Sequence, residues 1–267
     1  MIAWAKRNLR RSISVLFGTI LLMTAFTQLT LTLKLADSGQ IYTTATGEQR
    51  TISLAGGSRI VMDAESALKI VVAGKATQVF MLQGRAYYDL AQNSSRQTAV
   101  YTPGTKLLDI GTKFTVELLD EAKTLVVLQE GMVEAEVRSS SVLDGSTPGP
   151  PAVERATLLD HQILLVQPLD SRAHVRTEDL TQKQLDRRLY WKDGVLDFQS
   201  GDSLEAVVHE INRYCKIKID VDPSARDVKV GGRYRIKDFD HFAEMVAEQH
   251  KLQISKQGPK VNLSRKR

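Results

Sequence analysis

Chemistry needs nucleophiles, general bases or metal ligands at workable spacing, so these residues come first. The five histidines are His161, His174, His209, His241 and His250. No two of them form an H-E-x-x-H zinc motif, and their spacing suits no other metal site. His209 and His241, which open or line helices, read as exposed or boundary side chains. Cys215 is the single cysteine. It excludes an intramolecular disulfide framework and a cysteine-based zinc site. At a helix end after Tyr214, it reads as a small buried hydrophobe. There is no G-x-S-x-G elbow, and Gly56-Gly57-Ser58 lacks the spacing and the lysine of a phosphate loop. Carboxylates are plentiful, but no pair is marked as an acid–base couple. The reading is therefore a binding module: not an enzyme, with no cofactor and no metal.

Gly84, Gly111 and Gly131 sit between apolar runs, where turns or bulges are their expected use. Tyr87, Tyr88 and Phe114 read as core and cross-strand packing. Neighbours on a strand face opposite sides, so one ring of the Tyr87-Tyr88 doublet is expected to be exposed.

The chain has 267 residues, 42% hydrophobic and 25% charged, which excludes wholesale disorder. Its net charge is +5, a balance that would ordinarily raise nucleic acid as a partner. The charge is not spread evenly. Lys6, Arg7, Arg10 and Arg11 precede any acid, and Lys256, Lys260, Arg265, Lys266 and Arg267 close the chain without one. Those four and five charges, set against a total of +5, leave −4 for everything between. The basic character belongs to the ends, and nucleic acid is not expected as a partner. The C-terminal charge run reads as a solvated tail, with attraction to an acidic partner or lipid as the alternative.

From Ser12 to Leu33 the chain carries no charge over 22 residues. A spanning helix needs about 20. Residues 12–33 are therefore expected to form a transmembrane helix behind a short stub, 1–11. Lys6, Arg7, Arg10 and Arg11 orient it with the N-terminus in the cytoplasm. A cleavable signal peptide shares the basic start, but the run is longer than a usual signal core and no small-x-small site comes after it. Either way the bulk of the chain lies outside the cytoplasm.

Residues 45–168 have an all-β pattern. Short apolar runs recur at about 8–12-residue spacing with glycines between them. They include Arg59–Asp63, Leu68–Val72, Gln78–Leu82, Ala86–Leu90, Leu107–Ile110, Phe114–Leu118, Thr124–Gln129 and Val133–Val137. Two strand–Gly–strand units, VFMLQGRAYYDL and VVLQEGMVEAEV, suit wrapped or solenoid-like sheets. The Ser/Pro/Gly-rich stretch 138–152 reads as a flexible loop. Residues 177–191 predict a connecting helix with Thr177 as N-cap. Residues 193–263 predict a small α/β unit in the order β-α-β-β-α-β-β. Its helices are capped by Ser203 and Asp240, and the first buries Leu204, Val207, Val208 and Ile211.

Four motifs resemble those of the FecR family of membrane-bound anti-sigma regulators. Leu54 to Ile60, containing Gly57 and Ser58, resembles L-x-D-G-S-x-V, with Gly56 in place of the Asp. Leu82 to Leu90, containing Gly84, resembles L-x-G-x-A-[FY]-F-D-V. Ile110 to Val116, with Gly111, Thr112 and Phe114, resembles L-G-T-x-F-x-V. Val127 to Val133, with Gly131, resembles V-L-E-G-x-V. Trp191-Lys192-Asp193-Gly194-Val195-Leu196 resembles the family's W-R-x-G-x-L-x-F. The residues beyond it, to 263, are similar to the short domain shared by secretins and the N-termini of TonB-dependent receptors.

The resemblance implies a single-pass inner-membrane protein with its bulk in the periplasm. It would relay the state of a TonB-dependent outer-membrane receptor, through that receptor's signalling domain, to an extracytoplasmic-function sigma factor. Such systems commonly control iron uptake. The 11 residues before the span reach only about 16 Å as a helix. That is short for the family's sigma-binding segment, so the output half is expected to be missing or supplied by another chain. The other reading is a membrane-anchored envelope-binding or structural protein that reuses the fold. For docking, edge pairing in the second unit is the expected mode, with Val230, Gly231, Gly232, Arg233, Tyr234 and Trp191 as candidates. Gly231-Gly232 is expected to leave backbone accessible.

Overall fold

The computed structural model describes residues 39–267 apart from 93–96, 110, 120–122, 139–152, 170–171, 259 and 267. The expected span, the orienting charges Lys6, Arg7, Arg10 and Arg11, and nearly all of the expected loop 138–152 lie outside the described residues. No described helix is long and apolar enough to cross a membrane. Ile41–Arg267 is one compact unit.

Its first part is built of strands. In chain order these are β1 (Gln40–Thr43), β2 (Arg50–Ser53), β3 (Arg59–Met62), β4 (Ala67–Ala73), β5 (Ala76–Gln83), β6 (Arg85–Asp89) and β7 (Gln97–Thr102). Next are β8 (Thr105–Asp109), β9 (Lys113–Leu118), β10 (Thr124–Glu130), β11 (Val133–Arg138), β12 (Val153–Leu158), β13 (Gln162–Leu169) and β14 (Arg172–Asp179). They form two seven-stranded sheets, ordered β1-β4-β5-β7-β8-β11-β12 and β14-β13-β10-β9-β6-β3-β2. The chain lays down one or two strands in one sheet and then crosses to the other. The wrapping expected from the repeated strand–Gly–strand units takes this form. Most neighbours are antiparallel, but β5 and β7 are parallel because β6, in the other sheet, intervenes between them.

Alternation sorts the side chains. Ile60, Met62, Tyr88, Val126, Leu128 and Leu164 of the second sheet share one core with Leu68, Val79, Val100, Leu107 and Val133 of the first. The residues between them face the other way. Ala64, Tyr87, Val127 and Ile163 join a second core made with the C-terminal third of the chain. The second sheet is thus covered on both faces. Tyr87 and Tyr88 are therefore both buried, at 4% and 0% exposure, against the expectation of one exposed ring. Tyr88 stacks on Phe114 inside the sandwich at 4.8 Å, while Lys192 sits over Tyr87 on the outside.

The cover begins with α1 (Gln182–Leu189) and a 3-10 turn, Tyr190–Asp193. The helix starts later than expected. Thr177 lies in β14, paired with Leu164. The cap is Thr181, which closes a capping box with Gln184 and so satisfies the first-turn amides. After this come β15 (Val195–Phe198), α2 (Leu204–Ile211), β16 (Lys218–Val221), β17 (Gly232–Arg235), α3 (Phe242–His250), β18 (Leu252–Gln257) and β19 (Lys260–Arg265). Ser203 caps α2 by accepting from the Ala206 amide. A 3-10 turn over Ile236–His241 leads into α3, so His241 and not Asp240 holds the N-cap position. β15 pairs with β17, and β16 runs parallel to β19, which pairs with β18. The apolar faces of α2 and α3 close the outer core through Leu204, Val207, Ile211, Phe242 and Val246. Cys215 is buried there, in agreement with its position in the sequence.

Candidate functional site

Burial in the outer core is mostly apolar, with one ionic exception. Asp63, just after β3, is wholly buried, and Arg85 opens β6. Glu117 on β9 stands directly across the ladder from Arg85. The C-terminal layer adds Glu210 on α2 and, just beyond that helix, Arg213 and Tyr214.

The contacts are short. Arg85 donates to Asp63 Oδ2 from Nε at 2.8 Å and from Nη2 at 2.6 Å. The same Nη2 lies 2.6 Å from Glu210 Oε1. Tyr214 donates its hydroxyl to Asp63 at 2.9 Å. Arg213 Nη1 reaches Glu117 Oε1 at 2.9 Å, and its Nη2 is 3.5 Å from Asp63. Gln49 donates to both Asp63, at 3.0 Å, and the Trp191 carbonyl, at 2.8 Å. The Arg85 guanidinium lies over the Trp191 ring at 4.7 Å, an arrangement that is attractive through the ring quadrupole. A second pair, Lys218–Glu65 at 2.9 Å, ties the same two layers nearer solvent.

Protonation is set by these partners. Burial alone would raise the Asp63 carboxyl, but Arg85, Arg213 and the Gln49 hydrogen bond outweigh it and hold it below its ordinary value. Burial would likewise weaken the Arg85 charge, but Glu210, Glu117 and Asp63 hold it firmly protonated. Burial, with the neighbouring Asp63, raises the Tyr214 hydroxyl. Asp63 is thus held as an anion, Arg85 as a cation and Tyr214 as a donor, none of the three poised to exchange protons near neutrality. Among the described residues no His/Cys/Asp/Glu group could hold a metal. The arrangement is a polar clamp that fixes the C-terminal layer on the sheet.

Of the sequence-derived docking residues only Trp191 touches this clamp; the others lie in β17 or just before it. Trp191 is 1% exposed beneath Arg85 and presents no ring to a partner. Val230 is buried, its amide donating to the Asp202 carbonyl. Gly231 is not open as expected. A Cβ there would lie 2.6 Å from the Ser200 backbone, so glycine is required for close packing. Gly232 begins β17, which among the described strands pairs with β15 alone. Arg233 is exposed over the Tyr190 ring. Tyr234 packs between Phe198 and Phe242 and donates to the Gly231 carbonyl.

The motif positions are structural. Ser58 accepts from the Ala91 amide, the buried Thr112 accepts from the Leu90 amide through its carbonyl, and Gly131 donates to Asp160. Gly57 lies in the turn between β2 and β3. Gly84 has φ +79°, and a Cβ would sit 2.3 Å from Ser66 Oγ. Gly111 has the same φ and meets Gln92 at 2.4 Å.

Sequence reasoning missed the clamp, because its members span 49 to 214. The one local signal was Arg85 opening an apolar strand and Glu117 closing another.

Residues 40–134 match the family model described as FecR protein. The matched segment runs from β1 into β11 and includes Asp63, Arg85 and Glu117. Glu210, Arg213 and Tyr214 lie beyond it. Two crystal structures of a candidate anti-sigma factor from Parabacteroides distasonis share the fold, each with a TM-score of 0.62 at 18% identity. They cover 86% and 85% of this chain and 100% of their own. No curated protein matches the chain.

Proposed function

We propose that this protein is a FecR-type sensor-regulator in cell-surface signalling. The observation that carries the reading is the FecR match over residues 40–134. The likeness in fold to a candidate anti-sigma factor extends across 86% of the chain. FecR and anti-sigma proteins form a regulatory class, not an enzymatic one, which agrees with a site whose ions are locked.

In this reading the chain is anchored in the inner membrane by residues 12–33, with 35–267 in the periplasm. The periplasmic part meets the signalling domain of a TonB-dependent receptor, and the result reaches an extracytoplasmic-function sigma factor. Residues 193–263 correspond to the short secretin- and receptor-like unit, and 45–168 to the FecR-type β unit. The clamp from Asp63 to Tyr214 would carry a load on the C-terminal layer to the sheet, since it joins the two by charged contacts that cannot slide without being broken. The test is co-purification of the full chain with a receptor signalling domain. Saturable binding is expected; none at high micromolar concentration would leave the envelope-binding alternative standing.

A further inference from the structure

A recess of about 580 Å³ opens where the loop around Gly47 meets Asp193–Val195 and the turn after β17. That volume is in the range of small-ligand sites, roughly 300–1,000 Å³. Part of its lining is apolar, including Val195 and Phe239. Lys216, Arg235 and Lys237 also line it, all three exposed and without an ion-pair partner among the described residues. The acid in the lining, Asp193, is already held by Lys192 at 2.8 Å. Among the described residues the lining thus carries three positive charges without an ion-pair partner, beside apolar side chains. Like charges gathered this way repel each other and raise the local concentration of anions.

We propose that this recess binds a small organic dianion with an apolar body, such as an aromatic or aliphatic dicarboxylate. Its carboxylates face Lys216, Arg235 and Lys237, and its body lies against Val195 and Phe239. Both layers line the recess, and Gln49 belongs to the lining and to the clamp through its bond to Asp63. Occupancy therefore favours the docked arrangement of the C-terminal layer. The assignment does not depend on the regulatory reading.

The test is calorimetric titration of the full chain in lipid nanodiscs with benzene-1,3-dicarboxylate, against empty nanodiscs. Benzene-1,3-dimethanol is the neutral control. One saturable site is expected for the dicarboxylate and none for the diol. Replacing Lys216, Arg235 and Lys237 together by alanine should raise Kd about tenfold, since each exposed charge pair contributes modestly. Affinity of the unaltered protein should also fall as salt rises from low to physiological. No saturable heat, equal binding of the diol, an unchanged Kd in the triple variant or an affinity indifferent to salt would each overturn the assignment.

Discussion

Arg85→Met deletes the central cation of the clamp but keeps a long apolar stem against Trp191. Asp63, wholly buried, would lose two donors at 2.6–2.8 Å, and Glu210 would lose its contact at 2.6 Å. Removing one partner of a buried ion pair costs about 3–5 kcal/mol, because the other charge is left without compensation. Arg213 remains within 4 Å of Asp63, Glu117 and Glu210, so the lower end, about 3 kcal/mol, is expected. For a body of this size that is roughly 6–12 °C in Tm. The assay is thermal melting followed by circular dichroism at neutral pH. The variant Asp63→Asn removes the orphaned charge, so the double variant should be less damaged than the sum of the singles, with a coupling of about 0.5–3 kcal/mol. A Tm change under about 2 °C for Arg85→Met, or strict additivity, would refute the clamp.

The depressed Asp63 carboxyl predicts a pH dependence. A group whose folded value is below its ordinary 3.8 adds stability that is complete above that value and is lost as pH falls through the folded value. Asp63→Asn should therefore flatten the acid limb of a Tm-versus-pH curve below about pH 3.8. Gly84→Ala should destabilise by about 2–4 kcal/mol in urea titration, from left-handed strain and the clash with Ser66. Lys218→Ala, which breaks a pair more than a third exposed on both sides, should cost no more than about 1 kcal/mol in the same titration.

Much of the sandwich was legible because alternation and glycine punctuation are local. Val79 and Met81 alternate as core residues of a half-buried strand, and most strands between 50 and 137 fall close to where the pattern places them; β7 (Gln97–Thr102), a polar-rich run, is the one the pattern missed. What was not legible depends on the second face of a sheet. Tyr87 is buried because Lys192 and the C-terminal layer cover it, and no alternation in β6 can announce a cover from more than a hundred residues away. The end of the Arg172–Asp179 strand has a helical pattern because acids at 178 and 179 mimic a first helical turn, whereas its ladder with β13 decides the outcome. The clamp was hidden for the same reason. Arg85 and Glu117 are cross-strand partners, but Glu210, Arg213 and Tyr214 reach them only after the chain folds back. Of the docking candidates, Trp191 and Val230 turned inward because the layer that carries them rests on the sheet.

The regulatory reading is tested most directly by transcription. Uptake genes under an extracytoplasmic-function sigma factor would be measured with and without their inducing ligand, in cells carrying or lacking this gene. Deletion should change the induction ratio, and the intact gene should restore it. The same ratio in both strains would contradict the regulatory reading.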